Sequence, residues 1–138
     1  MKVVLDTNVF ISGIFWEGNF CAQIINLWGQ GKITLVSSIK IVEELVKTLK
    51  SFKIQMDETM IESWRDFIVK NSIMVEPTEK FEIIKKCPAD DKFLEVAVAG
   101  EAEYIVSQDN HLLNLKEFQG RKIIKPEEFL KIIETKFK

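Results

Sequence analysis

Val3-Val4-Leu5-Asp6-Thr7-Asn8 is the stretch on which the fold turns. Lys2–Leu5 reads as a strand with apolar residues at consecutive positions. Such a strand is covered on both faces, as in a parallel sheet between helices. It ends on a carboxylate, Asp6. An ionised Asp is costly to bury within the sheet. At the carboxyl end of a strand it stands instead at the mouth where open α/β folds hold their ligands.

Working outward, Val9–Phe15 reads as a short helix broken by Glu17-Gly18-Asn19. Phe20–Trp28 carries Cys21, Ile24, Ile25 and Trp28 at helical spacing, and Gly29 and Gly31 close it. Ile33–Val36 reads as a second strand. Ser37-Ser38 offers an N-cap to a helix whose stripe is Ile41, Val42, Leu45, Val46 and Leu49. A helix follows over about Asp57 to Lys70, then a strand at Ile73–Val75 and a short helix at Glu79–Lys86. Pro88-Ala89-Asp90-Asp91 is a strong helix start, continued through Phe93, Val96, Ala97 and Gly100. Tyr104–Val106 is a strand, Leu112–Phe118 a turn of helix ended by Gly120, and Lys122–Ile124 the last strand. Pro126 opens the final helix, where its missing N–H costs nothing. Strands alternate with helices throughout, which predicts a parallel-rich sheet covered on both sides. Right-handed crossovers put the strand carboxyl ends on one edge.

The totals agree with one domain over residues 1–138. Hydrophobic residues make up 46% of the chain, enough for a real core. A net charge of −2 leaves nucleic-acid binding to a local basic face. The two cysteines, Cys21 and Cys87, have no CxxC spacing and suit a reduced, cytoplasmic protein. No apolar run approaches the ~18 residues of a membrane span, and no signal-peptide pattern opens the chain.

Four acidic stations are placed to converge on the sheet edge: Asp6, Glu43 or Glu44, Asp90 or Asp91, and Asp109. A cluster of carboxylates attracts hard divalent cations. Each residue also has a plainer role. Asp6, Asp90 and Asp91 suit helix N-termini, Asp109 suits a turn, and the two glutamates flank an apolar stripe. His111 is the lone histidine; it reads as a surface or packing residue, and a single imidazole argues against a zinc centre. Trp16, Trp28 and Trp64 read as packing residues. Lys47, Lys50 and Lys53 recur at roughly helical spacing, as a solvated face or as a track for a phosphate backbone.

Taken together, the four stations resemble the PIN-domain nucleases. The matching text is Val-Val-Leu-Asp-Thr-Asn at 3–8, Ser38 with Glu44-Leu45, Asp90-Asp91-Lys92-Phe93-Leu94-Glu95-Val96-Ala97, and Tyr-Ile-Val-Ser-Gln-Asp-Asn-His-Leu-Leu at 104–113. The nearest likeness is to the VapC-like toxins of prokaryotic toxin–antitoxin pairs. The resemblance implies a three-layer α/β/α sandwich around a mostly parallel sheet of about five strands. It implies a Mg²⁺- or Mn²⁺-dependent ribonuclease, a homodimer, and an antitoxin made alongside. It favours Glu44 over Glu43. Two departures stand out: Ser107 replaces a usual Thr, and Cys87 stands where close relatives often have an Asp.

On that reading Asp6 and Asp90 are the main metal ligands, and Asp109 completes the set or holds a water. Glu44 orients the attacking water or ligates a second ion. Asn8 and Ser107 fix the carboxylates or a phosphate oxygen, and Asp91 stands by in support. The rivals fit less well. A haloacid-dehalogenase-type phosphotransfer enzyme wants a carboxylate at position 8, which is Asn8. A response-regulator receiver wants its acidic pair early. A PIN-like scaffold that only binds partners has no need of the complete acid set.

Overall fold

The computed structural model describes residues 1–136. Its first strand, β1 (Lys2–Leu5), leads straight into α1 (Thr7–Phe15) and α2 (Phe20–Gly29). Then come β2 (Thr34–Ser37), α3 (Ile39–Ser51), α4 (Glu58–Lys70) and β3 (Ser72–Met74). A long irregular stretch ends in a single 3₁₀ turn at Pro88–Asp90, which runs into α5 (Asp91–Ala99). The chain continues through β4 (Tyr104–Val106), α6 (Asn110–Leu113), β5 (Glu117–Phe118), β6 (Arg121–Ile124) and α7 (Pro126–Lys136). No helix among the described residues is long and apolar enough to cross a membrane.

The strands form one six-stranded sheet in the order β3-β2-β1-β4-β6-β5. All pairings are parallel except that of β5 with β6. The expected alternation of faces is visible in β1. Val3 and Leu5 join Leu35 and Val106 in one apolar cluster with α1, α2, α3, α4 and α7. Val4 joins Val36, Ile105 and Ile123 in the other, covered by Phe93, Leu94, Val96 and Ala97 of α5 and by Leu112 of α6. The result is the three-layer sandwich, with more helices on one face than on the other. Gly100, just after α5, is where the layers press closest. A Cβ there would lie 2.1 Å from Val36 Cγ1.

The expected mostly parallel sheet of about five strands is present, with six. Two local expectations fail. The run after His111 is not helical to Phe118: α6 stops at Leu113 and β5 follows. Gln119 (φ 50°) and Gly120 (φ 82°) then make a two-residue hairpin turn into β6, the positive-φ pair that suits the twist of adjoining antiparallel strands. Nor do residues Glu79–Lys86 form a helix. Their backbone donors are taken by side chains of α5. Asp91 Oδ1 accepts from Ile83 N (3.2 Å) and Ile84 N (3.0 Å), and Glu95 Oε2 accepts from Phe81 N (3.0 Å). With those amides satisfied from outside, and Ile84 buried in the α5 cluster, the segment stays irregular, with a turn at 85–86, against the sandwich.

The tryptophans divide. Trp28 is buried edge-on to Phe10 and Phe67 and donates Nε1–H to Asn71 O at 3.0 Å. Trp64 is partly buried against Phe67. Trp16 is 43% exposed, resting on Phe15 and Phe52.

Candidate active site

Parallel register builds the site. Leu5 pairs with Val106, so the residues that follow, Asp6 and Ser107, leave the sheet side by side. The ladder continues past both strands: Asp6 N–H donates to Val106 O (3.1 Å) and Ser107 N–H to Ile124 O (3.0 Å). Asp6 is buried and caps α1, its Oδ1 accepting from Val9 N at 2.9 Å. Its Oδ2 accepts from the Ser107 hydroxyl and, at 3.4 Å, from Gln108 N. Ser107 Oγ in turn accepts from Asp109 N at 2.9 Å. One fully buried hydroxyl thus links Asp6 to the loop that carries Asp109.

Burial holds the Asp6 carboxyl up at about 6, against the pull of its Ser107, Val9 and Gln108 donors and with a further push from the Asp109 charge. Asp90 is likewise raised to about 6. Burial comes first there too. The bond its protonated form makes to Asp109 and the repulsion from that carboxylate add to it, while the Cys87 thiol and the Lys92 ammonium oppose it. Asp90 Oδ2 is buried with no hydrogen-bond partner among the described residues. An ionised oxygen left that way is expensive unless a cation meets it. Asp109 caps α6, its Oδ1 accepting from His111 N at 2.9 Å. Asp109 therefore stands between the other two, acting on Asp6 and on Asp90.

Glu44 closes the rim. Ser38 caps α3, and one and a half turns on Glu44 points back to the sheet edge. Its Oε2 accepts from the hydroxyl of Thr7, the residue after Asp6, and its Oε1 accepts from Lys92 Nζ at 2.7 Å. Lys92 also donates to Ala89 O at 2.7 Å and lies 4.8 Å from the Phe93 ring centroid. Glu43 is exposed on the helix flank. Beside Lys92 runs a cleft of about 530 Å³, lined by Lys40 and Lys80 as well as by Glu76 and Glu95.

Residues 2–111 match the model of the PIN domain family. This chain belongs to that family. The matched span contains Asp6, Glu44, Asp90, Asp109 and His111. An uncharacterized protein of Methanocaldococcus jannaschii is 28% identical over 120 residues, covering 85% of this chain and 76% of its own length. Among solved structures, VapBC2 from Rickettsia felis, bound to a DNA fragment from its promoter, superposes with a TM-score of 0.62 at 14% identity, covering 91% of this chain and 98% of the other. PAE2754 from Pyrobaculum aerophilum gives 0.62 at 13% identity, covering 98% and 90%. At these identities the likeness is one of fold.

Within this PIN domain the remaining sequence candidates fall in different places. Asn8 is exposed on the first turn of α1. Asp91 turns away from the acids to hold Ile83 and Ile84. Lys47, Lys50 and Lys53 are exposed at and beyond the end of α3, whereas the cleft beside Lys92, the partner of Glu44, takes its cations from Lys40, Lys80 and Lys92 itself. Thr7, Lys92 and Glu95 were not marked by the sequence. Lys92 carried a usable signal, a lysine two residues past a suspected metal ligand. Thr7 and Glu95 carried none, because their partners lie far along the chain.

Proposed function

We propose that this PIN domain is a metal-dependent ribonuclease and the toxin of a toxin–antitoxin pair. The observation that carries the reading is the meeting of Asp6, Asp90 and Asp109 at the carboxyl edge of the sheet, with Glu44 on its rim. The donor set suits a hard divalent ion. These donors are carboxylate oxygens, two of the acids are raised by burial, and Asp90 keeps a buried oxygen unpaired. Asp6, Asp90 and Asp109 would hold Mg²⁺ or Mn²⁺. Such an ion supplies charge relief to a scissile phosphate and makes a water acidic enough to attack it.

The chain's own groups do the rest. Ser107, Val9 and Gln108 fix the orientation of Asp6. Thr7 and Lys92 hold the Glu44 carboxylate in one position, from which it would orient the attacking water. Asn8, exposed beside Asp6, would donate to a phosphate oxygen. Lys40 and Lys80 would draw the backbone of the RNA into the cleft. The fold shared with promoter-bound VapBC2, together with the sequence resemblance, supports a partner protein made alongside. Met60, Trp64 and Phe67 form an apolar patch on α4 that suits such a partner or a second copy.

The test is cleavage of a mixed-sequence RNA by the purified protein, with EDTA and after return of Mg²⁺ or Mn²⁺. Cleavage should require the ion and vanish in Asp6→Asn, and induced expression should arrest growth only with Asp6 intact. Cleavage indifferent to EDTA and to Asp6→Asn would end the proposal. If calorimetry finds no Mn²⁺ bound at millimolar concentration, a partner-binding scaffold takes its place.

A further inference from the structure

Asp90 also belongs to a second, different set of donors. Cys87 Sγ, an Asp90 carboxylate oxygen and a His111 ring nitrogen all lie within 4.8 Å of one another. They come from two elements: Cys87 and Asp90 flank the 3₁₀ turn, tied by Asp90 N–H to Cys87 O at 2.9 Å, and His111 sits on the first turn of α6. Ligands of a tetrahedral zinc ion stand roughly 3.3–3.8 Å apart, given bond lengths of about 2.0–2.3 Å. The three atoms need to close by only about an ångström, and His111 is an exposed side chain free to turn.

We propose that Cys87, Asp90 and His111 form a binding site for a borderline-soft divalent ion, Zn²⁺ first, which borrows Asp90 from the hydrolytic centre. Thiolate and imidazole select such ions over Mg²⁺, which takes oxygen. The unpaired buried oxygen of Asp90 is an independent sign that this corner awaits a cation. Asp109 Oδ1 lies 3.6 Å from His111 Nδ1, and a carboxylate beside a ligating imidazole fixes its ring orientation. Binding costs the thiol its proton, which passes to solvent; no electron moves. The fourth position stays open to water. One carboxylate cannot serve both ions in their best geometry, so zinc should suppress the hydrolytic ion. That consequence rests on the nuclease reading; the zinc site itself does not.

The experiment titrates Co²⁺ into the metal-free protein and follows the thiolate-to-cobalt charge-transfer band in the near ultraviolet, with Zn²⁺ as competitor. The band should appear in the wild type and in Cys21→Ala, and disappear in Cys87→Ser. Cys87→Ser and His111→Ala should each weaken zinc by more than the 10–100-fold typical of losing a group behind the ligands. Circular dichroism of each variant checks that it is folded. In the RNA assay, zinc should inhibit Mn²⁺-supported cleavage by the wild type, and Cys87→Ser should resist that inhibition when compared with its own zinc-free rate. No thiolate band, a band that survives Cys87→Ser, or one that moves with Cys21→Ala would overturn the site. A protein that binds Co²⁺ through Cys87 yet cleaves no RNA would keep the site and refute the nuclease.

Discussion

Removing one charge at Asp6 should make the metal-free protein more stable. The carboxyl is buried, and its pKa is lifted from the ordinary 3.8 to about 6. A lift of that size corresponds to about 3 kcal/mol between the two protonation states. The folded chain holds this proton more tightly than the unfolded chain does. The favourable contribution is therefore complete below pH ~4 and is lost as pH rises through about 6. At pH 7.5 the ionised carboxylate costs the fold its full share. Asp6→Asn keeps an oxygen for Val9 N–H and, through the rotatable Ser107 hydroxyl, a partner for its amide, while Gln108 N–H loses a long bond. The net gain at pH 7.5 should be about 1–3 kcal/mol, or up to about 10 °C in Tm for a domain of this size. Thermal unfolding in EDTA from pH 4.5 to 8 is the assay. The wild-type curve should fall between about pH 4 and 6 relative to Asp6→Asn and then run parallel to it, and Mn²⁺ should lift the wild type more than the variant. Two curves that stay parallel across that range would show that burial does not tax this carboxylate, and the electrostatic account of the site would fail. With the expected outcome, the variant is more stable and, on the proposed function, unable to cleave, the trade expected where a site stores unfavourable charge.

Two further outcomes follow from the packing. Asp91→Ala leaves the Ile83 and Ile84 amides without acceptors, which should cost about 2–4 kcal/mol in urea unfolding and expose both amides to hydrogen exchange; unchanged protection would refute the assigned role. Gly100→Ala drives a methyl into Val36 and should cost about 1–3 kcal/mol in the same assay, with a neutral result showing that β2 can yield there.

The sequence made the sheet legible because β1, β2 and β4 are short apolar runs each followed closely by a strong cap: Asp6, Ser38 and Asp109. The acid cluster was legible because each acid follows a strand or opens a helix. What stayed hidden depends on contacts between distant residues. The Glu79–Lys86 segment has helical composition, but Asp91 and Glu95 satisfy its amides first, and no local pattern reports that. β5 was masked because the hairpin turn uses Gln119 where Asn or Asp would have advertised it. Asp91 looked interchangeable with Asp90 in sequence, and only the direction of its side chain separates them.

The grip of Asp91 and Glu95 on residues 81–84 falls on main-chain atoms, so it does not depend on which side chains that stretch carries. Just upstream, Glu76, Pro77 and Lys80 form one bank of the cleft beside the acids. A bank moored by its backbone can exchange its side chains over generations while the acids at the sheet edge stay in register. If the proposed function holds, descendants of this chain are free to change what they recognise without relearning how to cut.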